Sequence, residues 1–213
     1  MTENPKFAVI GGGSWATAIA KMLCANLSEV CWYMRNDEAI AHIKEHHHNP
    51  NYLSSVEFNI DKLILTSDIN EAVQYADYIV FVIPSAFLGK ELELLTESLK
   101  DKIIFSAIKG IVPETSLIVG EHFHEKYEIP YGNIGVITGP CHAEEVALER
   151  LSYLTIACSD PGKAAVMSAF LSSNYIKVKI TDDIVGTEYA AVLKNIYAVA
   201  AGMAHGLGYG DNF

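Results

Sequence analysis

Two lysines and a run of small residues have the types and spacing to do chemistry. Lys194 lies in a stretch from Asp183 to about Met203 made mostly of Ala, Val, Ile, Leu and Tyr. At the helical-neighbour positions stand Ala190, Ala191, Tyr197 and Ala198, with no carboxylate to pair with it. Burial on such a helix disfavours the charged form of a lysine and makes it a usable proton donor and acceptor. The plainer alternative is a lysine snorkelling from a buried helix. Lys109, in Ser106-Ala-Ile-Lys-Gly110, follows a strand end and can place a second positive charge at the same sheet edge. That charge would attract an anionic substrate, although alone it reads as a solvated loop lysine.

The small residues come earlier. Gly11, Gly13 and Ala16 form G-x-G-x-x-A directly after the buried apolar run Phe7 to Ile10. Gly11 permits a tight turn, Gly13 lets a pyrophosphate approach the backbone, and Ala16 lets helix and strand pack closely. The helix N-terminus then offers unpaired N–H groups to phosphates. The spacing therefore predicts a dinucleotide site. At the end of the second strand an acidic residue reads NAD, whereas a basic one accommodates the NADP 2′-phosphate. Arg35 stands there, with Asp37 two residues on, so NADP is favoured without NAD being excluded.

Other tempting groups carry less. Gly139-Pro140-Cys141-His142 reads as a turn feeding a helix N-terminus, a candidate anion site. Cys141 and His142 are adjacent, and adjacent helical residues do not face each other, so a thiolate–imidazole pair is not expected. His46-His47-His48 and His122-x-His124 lack companion ligands, so no metal site is expected. There is no phosphate-loop motif and no G-x-S-x-G elbow.

These residues need a scaffold that brings strand ends together. Apolar runs alternate with amphipathic segments, which predicts a doubly wound, mostly parallel Rossmann-like α/β sheet. Strands are expected at Val30 to Met34, Leu63 to Thr66, Tyr78 to Ile83, Lys102 to Ala107, Ile134 to Thr138, Tyr153 to Cys158 and Tyr175 to Ile180. Helices are expected to about Leu23, from Asp37 to Glu45, after Ser67 or Asp68, on the surface from Gly89 to Leu99, from Cys141 to Glu149, and from Pro161. The pattern changes at Thr181. Residues 1–181 are expected to form a dinucleotide-binding domain, and 182–213 the beginning of an all-α domain whose first long helix is buried on several sides.

Composition narrows the partners. The 213 residues are 50% hydrophobic and 19% charged, fitting a globular chain with a sizeable core. A formal net charge of −11 argues against nucleic acid. No apolar run is long enough to span a membrane, and the Met1-Thr-Glu-Asn-Pro-Lys6 start lacks a signal peptide's apolar core. Four cysteines without a C-x-x-C pair look like reduced residues of a cytoplasmic protein.

Taken in order, the motifs resemble those of the bacterial-type NAD(P)-dependent glycerol-3-phosphate dehydrogenases. The matching stretches are Gly11-Gly-Gly-Ser-Trp-Ala-Thr-Ala18, Asn51-Tyr-Leu53, Ile83-Pro-Ser85, Lys109-Gly110, Gly139-Pro140 and Ala143-Glu-Glu-Val146. They continue with Lys194-Asn-Ile-Tyr-Ala-Val-Ala-Ala-Gly202 and Gly206-Leu-Gly-Tyr-Gly-Asp-Asn212. The resemblance implies interconversion of sn-glycerol 3-phosphate and dihydroxyacetone phosphate, feeding glycerophospholipid synthesis. It implies that Ser14, Trp15, Arg35, Lys109 and Ala143 touch the dinucleotide. Lys109, Gly139 and Cys141 would line the substrate site, with Lys194 as the catalytic proton carrier. Ala16 replaces the fingerprint's last glycine, and Cys141 stands where the family has Ser or Thr. The family's further helical domain, with its phosphate-holding residues, is not in this sequence, so a truncated chain is expected. Two other readings stay open, a non-catalytic dinucleotide-binding module and a related 3-hydroxy acid dehydrogenase. An apolar helix face without its partners predicts a homodimer or aggregation.

Overall fold

The computed structural model describes residues 5–210. Asp211-Asn212 of the glycine-rich motif, Phe213 and the Met1-Thr-Glu-Asn4 start lie outside the described residues. Side chains that are apolar in succession need cover on both faces, and a helix-flanked sheet supplies it. β1 (Phe7–Ile10), α1 (Ser14–Asn26), β2 (Val30–Tyr33) and α2 (Asp37–His46) open the chain. They are followed by β3 (Leu63–Thr66), α3 (Ile69–Tyr75), β4 (Tyr78–Phe81) and α4 (Ser85–Leu92). β5 (Ile103–Ser106) leads to a small hairpin, β6 (Ile111–Val112) and β7 (Leu117–Ile118), and then to α5 (Val119–Tyr127). The rest is β8 (Ile134–Thr138), α6 (Ala143–Ala147), β9 (Ser152–Cys158), α7 (Pro161–Leu171), β10 (Ile176–Thr181) and α8 (Ile184–Gly206).

Eight strands join in the order β10-β9-β8-β5-β4-β1-β2-β3. β8 and β9 pair antiparallel and the other neighbours are parallel, so the expected mostly parallel, doubly wound sheet is what forms. β1 is an interior strand, with Val9 opposite Trp32 on one side and Val80 on the other. Successive side chains alternate between faces. Phe7 and Val9 join a core with Ile19 of α1 and Met167 of α7, whereas Ala8 and Ile10 join one with Val73 of α3 and Phe123 of α5.

Three expectations shift. α4 begins at Ser85, directly after the N-cap Pro84, and buries Leu88, Gly89, Glu91 and Leu92, so it is neither at 89–99 nor on the surface. Pro84, with its fixed φ of −57° and no N–H to donate, marks the start of the helix three residues after β4 ends. α6 is five residues long, closed where Glu149 turns to φ 55° and the Arg150 N–H reaches the Glu145 carbonyl. The long helix is the largest difference. Ile184 and Glu188 are its buried residues, while Ile196, Tyr197, Val199 and Met203 are exposed. It rests on β7, β8, β9 and α5, and its residues 193–203 are exposed.

The packed first turns of α8 have a polar anchor in Glu188. Both carboxylate oxygens of Glu188 accept the Gly120 N–H, at 3.2 and 3.0 Å, at the start of α5, where no residue of α5's own end supplies a side-chain cap. Burial pushes the Glu188 carboxyl up to about 7, against the pull of the Gly120 N–H. A carboxyl raised on folding stabilises fully below its unfolded value, and that contribution is lost as pH rises through the folded value. Between pH 4.5 and 7, wild type should therefore lose about 3 kcal/mol relative to Glu188→Gln, read from urea midpoints. Parallel pH profiles for the two proteins would rule Glu188 out as the titrating group.

Candidate functional site

Gly11 leaves β1 with φ +135°, and a Cβ there would lie 2.3 Å from the Val82 carbonyl oxygen. Only glycine fits a turn pressed this closely against the end of β4. The Gly11 N–H donates to the Tyr33 carbonyl at 3.1 Å, tying the turn to β2 as well. Around Gly13 the situation is opposite, because an added Cβ would meet nothing within 4 Å. Gly13 is the N-cap of α1 without a side-chain cap, so the first N–H groups of α1 open onto that space. An anion fits there by charge and by room.

The turn is held by Asn49, which is buried. Its side-chain amide donates to the Gly12 carbonyl at 3.1 Å and to Thr17 Oγ1 at 2.9 Å. Its carbonyl oxygen accepts from the Asn51 and Tyr52 N–H groups. One side chain thus joins the glycine turn to the following loop.

A cleft of about 380 Å³ opens beside this turn. Gly11, Gly12, Gly13, Arg35, Asn36, Asn49, Asn51 and Tyr52 line it, with Val82 to Pro84, Phe87 and Glu91 opposite. It lies at the carboxyl ends of β1, β2 and β4, where the strand order switches direction. Arg35 is exposed, and its guanidinium is 3.8 Å from the buried Glu91 carboxylate. The Tyr33 hydroxyl donates to the other Glu91 oxygen. Burial, and then the Glu91 carboxylate, push the Tyr33 phenol up, so it remains a donor.

The other sequence-selected residues gather further along the sheet edge. Lys109 is exposed on the loop after β5, where Gly110 has φ +138° and a Cβ would sit 2.6 Å from Ser85 Oγ. At Gly139 a Cβ would meet the Tyr153 carbonyl at 2.2 Å, so close packing of β8 on β9 requires this glycine. Cys141 is buried. Burial pushes its thiol up, Lys109 pulls it down, Glu145 adds to the rise and Lys194 lowers it. Both lysines are therefore within electrostatic reach of one sulfur, whose burial is the dominant influence and raises its pKa. Lys194 itself is exposed, and the apolar surroundings expected from its alanine neighbours are not there. Ser14 and Trp15 are half-buried on the first turn of α1, and Ala143 is buried on α6, which packs on α1. None of these three lines the cleft. No group of three His, Cys, Asp or Glu among the described residues is placed to hold a metal.

Asn49 and Glu91 were not visible from the sequence as site residues. Asn49-Pro50 reads as a turn signal, and Glu91 lies between Lys90 and Leu92 in what reads as a solvated helix. Only the pairing of distant elements gives either its role.

Residues 6–164 match the sequence profile described as NAD-dependent glycerol-3-phosphate dehydrogenase N-terminus, and residues 183–213 that of the C-terminus. The chain belongs to the NAD-dependent glycerol-3-phosphate dehydrogenase family. It is similar to the glycerol-3-phosphate dehydrogenase [NAD(P)+] of an Exiguobacterium species, 40% identical over 96% of this chain and 60% of that protein. Its fold is similar to glycerol-3-phosphate dehydrogenase from Plasmodium falciparum, with TM-score 0.90 and 24% identity over 98% of this chain and 61% of that one. The Saccharomyces cerevisiae glycerol-3-phosphate dehydrogenase superposes with TM-score 0.84 at 26% identity, covering 99% of this chain and 65% of its own. The chain spans about 60% of the length of the curated relatives it matches.

Within this family member the glycine turn depends on Asn49. Asn49→Ala leaves the Gly12 carbonyl and two loop N–H groups without their partner, which should cost about 2 kcal/mol of stability. Urea denaturation measures that loss, and a fluorescence titration with NADH should show weaker binding in parallel. A variant that keeps both wild-type values would show that the amide does not hold the turn.

Proposed function

We propose that this chain carries the cofactor half and the proton-transfer lysine of an enzyme interconverting sn-glycerol 3-phosphate and dihydroxyacetone phosphate with NAD(P)/NAD(P)H. The observation that supports the reading is that Lys109 and Lys194, from separate elements, both act electrostatically on the buried Cys141, while the glycine turn opens at the carboxyl end of β1. Lys109, Cys141 and Lys194 come from the end of β5, the end of β8 and α8, and chain order alone does not explain their convergence. Family membership supports the same reaction, and with it a role in glycerophospholipid synthesis.

The cleft fits a dinucleotide, because Gly13 leaves room for a pyrophosphate and the start of α1 presents N–H groups to it. When bound, NAD(P)H supplies the hydride that reduces C2 of dihydroxyacetone phosphate. The Lys194 ammonium donates the proton to the C2 oxygen, and in the reverse direction its neutral amine takes that proton back. Lys109 polarises the oxygen and offsets its developing charge. Cys141, with its thiol protonated, offers a weak donor and its backbone N–H to the substrate, and Gly139 shapes the same wall. Ser14, Trp15, Arg35, Lys109 and Ala143 are assigned to the dinucleotide.

Residues 1–181 form the dinucleotide-binding domain in this reading, and 182–213 the start of the substrate domain. Four free cysteines, three of them buried, support a reducing cytoplasmic setting. No helix among the described residues is long and apolar enough to cross a membrane. Exposed Ile196, Tyr197, Val199 and Met203 support self-association through α8 as a homodimer.

The test follows NAD(P)H absorbance with dihydroxyacetone phosphate, in this chain and in a version extended to its relatives' length. Lys194→Ala should lower turnover roughly 10³-fold, with the cofactor Kd unchanged to within about threefold. Turnover that survives nearly intact in the variant would refute the assignment of Lys194.

A further inference from the structure

We propose that Glu91 sets the cofactor preference of the cleft, favouring NAD over NADP; this rests on the reading of the cleft as a dinucleotide site. Arg35 at the end of β2 favours NADP when the sequence is read alone. The structure shows what Arg35 faces. The Glu91 side chain is 6% exposed and lines the cleft with Arg35, whose own side chain is 70% exposed. One Glu91 oxygen takes the Tyr33 hydroxyl and the other faces the Arg35 guanidinium at 3.8 Å. Among the described ion pairs, Arg35 is the cation that Glu91 has.

A 2′-phosphate brings nearly two negative charges and needs that guanidinium for itself. Taking Arg35 leaves a buried carboxylate without its counter-charge, in the same cleft as the new anion. Like charges brought together there cost several-fold to many-fold in affinity. A 2′-hydroxyl makes no such demand. It is neutral, it can donate to a carboxylate, and it leaves Arg35 where it is. The acidic group that reads an NAD ribose usually follows the second strand. Here Arg35 holds that place in sequence, and α4 supplies the carboxylate from across the cleft. Asp37, the nearest acidic residue in sequence, is exposed on α2 and does not line the cleft.

The test compares Kd for NADH and NADPH by fluorescence titration in wild type and in Glu91→Gln, with thermal unfolding confirming that the variant is folded. Wild type should bind NADH about tenfold or more tighter than NADPH, a ratio that does not depend on any variant. Glu91→Gln keeps the acceptor for Tyr33 and removes the charge, so the ratio should move toward NADPH by about tenfold. Tyr33→Phe, which keeps the charge, should retain the preference for NADH. A wild type that prefers NADPH, or a ratio unmoved in Glu91→Gln, overturns the proposal. If neither dinucleotide binds wild type, the reading of the cleft fails, and this proposal fails with it.

Discussion

The architecture depends on how closely the backbone at Gly11 approaches the carbonyl of Val82. β1 and β4 are sheet neighbours, yet the helices that follow them lie on opposite faces. α1 packs against the face that holds Val9 and Val80, and α4 against the face that holds Ile10 and Phe81. Two chains leaving adjacent strand ends in opposite directions open a crevice between them. The missing Cβ keeps the floor of that crevice closed, so its space lies above the glycine turn, where the N–H groups of α1 point. Asn49 and the Tyr33 carbonyl then fix the turn from the other side.

Much of this could be read along the chain. The strand cores at Leu63 to Thr66 and Ile134 to Thr138, the Asp68 cap and the start of α7 at Pro161 fall where local pattern puts them, because their signals are local. What escaped the sequence depends on contacts between distant elements. Glu91 looks like one of several charges on a solvated helix until α4 is placed over Tyr33, and then its neighbours decide its role. The two-residue strands β6 and β7 are too short to show alternation. The reversed direction of β9 is set by its pairing with β8, and its residues read equally well either way. Lys194 is the instructive case. Its alanine neighbours suggested burial, and apolar composition does suggest it, but the surface that would do the burying is not among the described residues.

Charge is distributed unevenly. The chain carries a net −11, yet Arg35, Lys109 and Lys194 stand along the carboxyl edge of the sheet, where the reading places an anionic cofactor and an anionic substrate. A cluster of cations on an acidic protein focuses anions at that edge. Glu91 tempers the effect locally, its carboxylate lying 3.8 Å from the Arg35 guanidinium.

Glu188 has a geometric consequence as well as an electrostatic one. It pins α8 at the second turn, and Lys194 lies six residues beyond it, roughly 9 Å along the axis. A rod held near one end works as a lever. A swing of about 10° at the pin would carry the lysine's backbone sideways by about 1.6 Å, and reacting groups misplaced by as little as about 1 Å lose much of their effectiveness. In the proposed reaction the placement of the Lys194 amine would follow the stiffness of the joint between Glu188 and the first turn of α5. Under that proposal Lys194 would inherit its accuracy from a hydrogen bond it never touches.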